Sequence, residues 1–307
     1  MDNQSETRDF LATRRAKITP EQAGLPVYGG NRRVPGLRRG EVAMLAGVSV
    51  EYYTRLERGN LSGVSEGVLE ALARALQLDE AEQAHLFDLA RAASTSRKPT
   101  RRRPAAQPVR ASVQFTLDAI TAAPAFVRNG RMDIVAANQL GYALYSEMYV
   151  SPVRPANHAR FIFLDDRAHG FYPDWERAAN DTVAILRTEA GRDPYDRGLT
   201  DLIGELSTRS EEFRTRWAAH NVRQHYTGRK HLRHPVVGDL HLMFEALDLA
   251  ADAGLSLLVY TAEPGSTTED AVRLLASWAA TQRSETQRAE TEQPAAATRS
   301  GPAPRRQ

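Results

Sequence analysis

The side chains best equipped for chemistry in this chain lie between Arg38 and Arg58, and they are hydrogen-bonding groups rather than nucleophiles or metal ligands. Tyr52 and Arg55 are three residues apart, with Glu51 beside them and Val50 preceding. On a helix that spacing places Tyr52 and Arg55 on one face. An arginine there pairs with guanine O6 and N7, and a glutamate accepts from cytosine N4, which is major-groove readout. Arg38 and Arg39 sit upstream, where they are placed to hold phosphates, which positions a duplex without reading it. Ser49 either shares a phosphate or caps the helix that follows.

A rigid frame must present these groups, and the flanking residues specify one. Val42, Leu45 and Ala46 fall at i, i+3 and i+4, the apolar stripe of a first helix. Gly47 supplies the left-handed backbone of a tight turn, Val48 is its apolar plug, and Ser49 N-caps a second helix. In that helix Tyr53 and Leu56 face back onto Val42 and Leu45, leaving Val50, Glu51, Tyr52 and Arg55 outward. The pattern predicts a helix-turn-helix, the geometry that enters a major groove. The bland alternatives are a two-helix corner, Glu51 as a helix-start acid and Tyr52 as a packing residue; Glu57 and Arg58 are read as partners within the domain rather than as base readers.

Other chemistries lack their parts. The 307 residues contain no Cys, which excludes disulfides, thiolate metal sites and Cys nucleophiles. Gly63-Val64-Ser65-Glu66-Gly67 matches the nucleophile-elbow pattern, but it precedes a helix in a helical region, so Ser65 reads as a cap. His231 and His234 point to opposite faces of a strand, and His220 and His225 straddle a helix end, so no metal set assembles. The expectation is no enzyme, no metal and no cofactor. No apolar run approaches the ~20 residues of a membrane helix, and the polar start MDNQSETRDF is unlike a signal peptide. A cytoplasmic, nucleoid-associated protein is expected. Net charge is only +2, yet bases outnumber acids from Arg14 to Arg58, the local bias a nucleic-acid face requires.

Taken in order, the chain predicts helices over Thr7–Ile18, the two of the motif, Ser65–Leu78 and Asp79–Ala93. These form an all-α, five-helix N-terminal domain over 7–93. Pro20 to Gly36 is a long connection in which Arg32 and Arg33 lie along a phosphate backbone or in a solvated loop. Residues 94–110 are a Pro/Arg-rich linker. Residues 111–280 read as an α+β domain with one antiparallel sheet. Its elements are a helix from Ser112, strands Ala125–Arg128 and Met132–Ala136 joined at Asn129-Gly130, and a helix from Asn138 to Tyr149. Helices over Asp174–Glu189, Leu199–Leu206 and Glu211–His220 follow, then strands Lys230–Arg233, Leu240–Leu247 and Leu255–Thr261 and a helix Thr268–Ala280. The tail, 281–307, is read as disordered.

Those residues resemble a known group. Leu45-Ala46-Gly47-Val48-Ser49, Tyr52 to Gly59 and Ala71 to Leu76 are similar to the xenobiotic-response-element (phage-repressor-like) regulators. More narrowly, they resemble the branch that carries an MmyB-like ligand-binding domain. Asn138, Phe163 to Asp166, Tyr172, Trp175, Ser210 to Phe213, Trp217 to His220, His234-Pro235 and Val259 to Ser266 resemble that domain. Gly40 departs from the pattern, standing where an acid is expected. The resemblance implies a sequence-specific transcriptional regulator with a PAS-like C-terminal domain that encloses a small apolar, fatty-acid-like effector. A homodimer on double-stranded DNA is expected, because one helix-turn-helix covers little duplex.

In the second domain, polar groups converging on an apolar pocket mark a ligand site. Asn138, Tyr172, Phe213, Trp217 and His220 are the candidates, with His241 a further polar group. The alternative is a domain that serves only dimerisation or protein–protein contact.

Overall fold

Alternating apolar and polar runs build two units, which the computed structural model describes over residues 3–26, 34, 36–94, 109–219 and 227–292. The first contains α1 (Asn3–Lys17), α2 (Arg39–Leu45), α3 (Val50–Glu57), α4 (Glu66–Ala75) and α5 (Glu80–Ser94). Phe10, Leu11, Leu37, Val42, Tyr53, Leu56, Leu61, Leu72, Leu86 and Leu89 fill its core. Asp79 caps α5 reciprocally: its carboxylate accepts the Glu82 N–H at 2.8 Å and Glu82 accepts the Asp79 N–H at 3.2 Å. Ser65 takes the N-cap position of α4 without a side-chain cap bond, and the preceding segment is a turn, so no nucleophile elbow forms. The first helix starts at Asn3, earlier than the apolar pattern indicates, because Glu6 and Thr7 are buried despite being polar.

The second unit is α6 (Ala111–Ala119), β1 (Ala125–Asn129), β2 (Ile134–Ala137), α7 (Gln139–Leu144), α8 (Ser146–Tyr149), α9 (His158–Leu164), α10 (Arg167–Phe171), α11 (Trp175–Arg192), α12 (Arg197–Arg209), α13 (Glu211–Ala218), β3 (Thr227–His234), β4 (Gly238–Asp248), β5 (Leu255–Thr261) and α14 (Thr267–Glu292). All pairings are antiparallel in the order β2-β1-β5-β4-β3. The register aligns Phe126 with Leu258, Phe244 with Tyr260 and Lys230 with Leu242, so these residues share one face. Helices cover that face, while α6 covers part of the other through Val113 and Leu117 on Val127, Ala136 and Leu257.

Several expectations change. The Asn129-Gly130 turn is wider than a two-residue hairpin. Asn129 Oδ1 accepts the N–H groups of Arg131 and Asp133, both at 3.0 Å, and the positive φ of 66° falls on Met132. Strand β2 therefore starts at Ile134. The helix expected from Asn138 to Tyr149 breaks at Tyr145. Helices α9 and α10 were not expected, since each is too short for a periodic signal. Residues 281–292, expected to be disordered, continue α14. Arg32, Arg33, His220 and His225 lie outside the described residues, as do 95–108 of the linker and 293–307 of the tail.

Candidate nucleic-acid interface and ligand cavity

Helix α2 ends at a turn in which Gly47 adopts φ +66° and the Val48 N–H donates to the Ala43 carbonyl at 2.9 Å. Ser49 Oγ then accepts the Tyr52 N–H at 3.1 Å, so Ser49 is the N-cap of α3. Tyr53 and Leu56 are fully buried against Val42, as the spacing predicts. Leu45 is a correction: it is 36% exposed, because Ala43 and Ala46 take the inward positions of that short helix.

The face opposite Tyr53 is open. Glu51, Arg55, Arg58 and Asn60 are exposed, and Val50 is 46% exposed. Together with Thr54 they line a shallow groove. The Arg55 guanidinium lies 4.8 Å over the Tyr52 ring, an attraction that holds both side chains on the outer face. Arg58, expected to be a partner within the domain, is exposed on this groove.

Arg38 and Arg39 separate in role. Arg38 is exposed at the start of α2, where its N–H donates to Glu41 Oε2 at 2.6 Å. Arg39 instead donates to Glu57 at 3.2 and 3.3 Å. Arg15 from α1 grips the same carboxylate with two bonds of 2.8 and 3.1 Å. Burial would raise the Glu57 carboxyl, but hydrogen bonds from Arg15 and Arg39 outweigh it and hold it below its ordinary range. Glu57 therefore ties α1, α2 and the end of α3 together.

In the second unit a small, partly open cavity of about 30 Å³ lies between the inner face of the sheet, α11 and the helical segments that carry Tyr145, His158, Ile162 and Tyr172. Arg128, Tyr145, His158, Tyr172, Asp181, Thr182, Lys230 and Tyr260 supply its polar groups, and Ile162, Ala178, Ile185 and Leu258 its apolar ones. The Tyr145 and Tyr260 hydroxyls bond each other at 2.9 Å, and burial raises the pKa of both. Lys230 Nζ stands 3.6 Å from Asp181. The Arg128 side chain makes no ion pair or hydrogen bond among the described residues, while its backbone belongs to the β1 ladder. Burial lowers the pKa of Arg128 and Lys230, and burial with Arg128 nearby lowers His158 to about 3. Among the lining residues two cations, Arg128 and Lys230, share the cavity with one carboxylate, Asp181, while Glu189 acts on Arg128 from outside the lining.

The structure places the expected ligand residues unevenly. Tyr172 lines the cavity. Asn138 does not. It caps α7, its Oδ1 accepting from Gly141 at 2.7 Å and Ala125 at 3.0 Å, while its Nδ2 donates to the Ile120 and Ala123 carbonyls. With those bonds made it has little left to offer a ligand. Phe213 and Trp217 stack on each other in a separate helical cluster at 5.5 Å. His241 is exposed on the other face of the sheet, stacked on His231. Sequence reasoning missed Arg128 and Lys230, although a signal existed. Arg128 is in phase with Phe126 and Lys230 with Leu232, so period-two alternation points both inward.

Among the described residues no group of three His, Cys, Asp or Glu is placed to hold a metal, and no helix is long and apolar enough to cross a membrane. Residues 109–275 match the MmyB-like transcription regulator ligand binding domain, and residues 9–86 match a helix-turn-helix domain. Both are regulatory binding domains rather than enzyme families. No curated protein matches the chain.

Proposed function

The chain belongs to the MmyB-like transcription regulators, and from that premise we propose that it is a sequence-specific regulator whose C-terminal cavity takes a small amphiphile with an anionic head. The observation that carries the DNA half is the open face of α3, with Arg55 on Tyr52 directly opposite the buried Tyr53 and Leu56. In this reading Glu51, Tyr52 and Arg55 meet base edges, Arg58 and Asn60 extend the contact, and Arg38 holds phosphate. Ser49 and Val50 seat the start of the helix against the duplex, and Arg39 supports the site through Glu57 rather than touching DNA. Two copies bind as a homodimer, one per half-site.

The test is selection of bound fragments from genomic DNA at two salt concentrations. A recurring motif, with affinity that falls steeply with salt, is the expected result. Binding equal on all sequences overturns it.

For the ligand half, Arg128 and Lys230 in one cavity favour a carboxylate over a neutral apolar molecule, and Ile162, Ala178, Ile185 and Leu258 offer an apolar lining for a chain once the cavity widens. Phe213, Trp217 and Asn138 have no place in that site. Decanoate titrated into the full chain is expected to bind, and to bind far more weakly to Arg128→Met. One observation favours the contact-only reading: about 30 Å³ holds roughly two waters, so the domain is nearly filled. Decanoate failing to bind, together with a stable dimer, supports that reading instead.

A further inference from the structure

The two units meet at a buried charge. Arg187 on α11 is fully buried and donates to the Glu6 carboxylate of α1 and to the Trp217 carbonyl, with its guanidinium 4.0 Å over the Trp217 ring. Glu6 is itself buried, and His85 of α5 lies 3.7 Å from the same carboxylate. The fit is close around this pair. A Cβ on Gly191 of α11 would stand 2.5 Å from the His85 ring.

Each end of this contact leads to a site already described. Arg187 lies two residues beyond Ile185 and five beyond Thr182, both of which line the cavity from the same helix. Glu6 lies two residues beyond Gln4, whose backbone oxygen would be 2.3 Å from a Cβ on Gly59, just past the end of α3. At the other end of α1, Arg15 holds Glu57.

We propose that Arg187–Glu6 is the joint through which an occupied cavity reaches the recognition helix. The inference rests on the reading of the cavity as the ligand site. A cavity that holds about two waters must displace a wall to admit anything larger. The wall formed by β1, β3 and β5 is held by its hydrogen-bonded ladders, and of the helices that line the rest α11 supplies the most residues, Ala178, Asp181, Thr182 and Ile185, so we take α11 as the wall that yields. Close-packed contacts switch between arrangements rather than stretch. A buried ion pair is especially abrupt, since separating it leaves two charges out of water. An occupied cavity therefore releases Glu6, loosens α1 beneath Gly59 and frees the DNA-reading unit from its fixed orientation.

The test needs no ligand. In the full chain, Ala178→Leu fills the cavity from α11, and the paired substitution Glu6→Gln with Arg187→Met removes the joint without stranding a charge. Hydrogen exchange is followed at the amides of α5 and of Arg58 to Asn60, with β4 as the control for general unfolding. Affinity is measured on the DNA motif selected above. Ala178→Leu is expected to speed exchange at α5 and at Arg58 to Asn60 at least tenfold and to change DNA affinity several-fold. It should add nothing further in the paired variant. Thr182→Ile, a smaller filling, replaces Ala178→Leu if β4 also exchanges. Protection unchanged at α5, an equal effect with and without the joint, or loosening at α5 with unaltered DNA affinity each overturns the proposal. Decanoate binding is measured separately, so the joint can fail while the cavity reading stands.

Discussion

The recognition helix turns its polar side chains out of a filled core, whereas the sheet of the C-terminal unit turns Arg128 and Lys230 into one. Arg55 stands in solvent against a tyrosine ring and loses nothing while it waits for DNA. Arg128 waits among tyrosines, where burial works against its charge. Outward function leaves stability alone. On the proposed reading, inward function is set against stability, because a pocket prepared for an anion is destabilised until the anion arrives.

The sharpest way to break this contrast is Glu57→Ala. Glu57 is, with Glu6 and Arg14, one of the buried charges of the DNA unit, and its loss leaves Arg15 without its carboxylate. A loss of about 3 kcal/mol is expected in chemical denaturation, and a loss below about 1 kcal/mol would mean that Arg15 finds solvent. Next in size is Arg55→Ala, expected to cost about 2 kcal/mol of affinity for the preferred site and to relax one base, with the melting temperature unchanged. Equal weakening on every sequence would reassign Arg55 to phosphate.

Arg128→Met should do the opposite of an ordinary core mutation. It is expected to stabilise the ligand-free chain by about 1.5 kcal/mol in the same denaturation experiment while making decanoate binding far weaker.

His158 sharpens the comparison through pH. Its folded pKa is about 3 against an ordinary value of 6.5, so only the unfolded chain takes up the proton between them. Stability then falls as pH drops, by about 1.4 kcal/mol per unit below pH 6, and is untouched above pH 7. Denaturation at pH 7, 6 and 5 is expected to give that slope in the natural chain, and a slope shallower by the same amount in His158→Phe.

The smallest effect is Gly47→Ala. No atom obstructs a Cβ there, and only the φ of +66° objects, so about 1 kcal/mol is expected in a thermal melt.

The legibility of the two units follows the same division. Val42, Tyr53 and Leu56 could be placed from spacing alone, because a short helix on a small core has one apolar stripe and its function lies on the complement. Leu45 escaped because α2 is too short for its stripe to be unambiguous. In the second unit the strands and the sheet were readable from alternation, but the site was not. Aromatic residues drew attention to Phe213 and Trp217, which pack a helical cluster, while cations on strands resemble solvent-facing residues.

The sequence by itself determined the helix-turn-helix, its caps and its outward face, since those depend on residues within a few turns of one another. It also determined the antiparallel sheet, whose alternation is local. Only the tertiary structure decided that Asn138 binds the backbone of its own domain, that Arg39 serves Glu57, and that Arg187 meets Glu6 across 181 positions of chain. Such pairings depend on which elements fold against each other, and burial then gives a charge its meaning. The same residue type is a solvated surface group on α3, an ion-pair anchor on α11 and a cation turned into the cavity on β1.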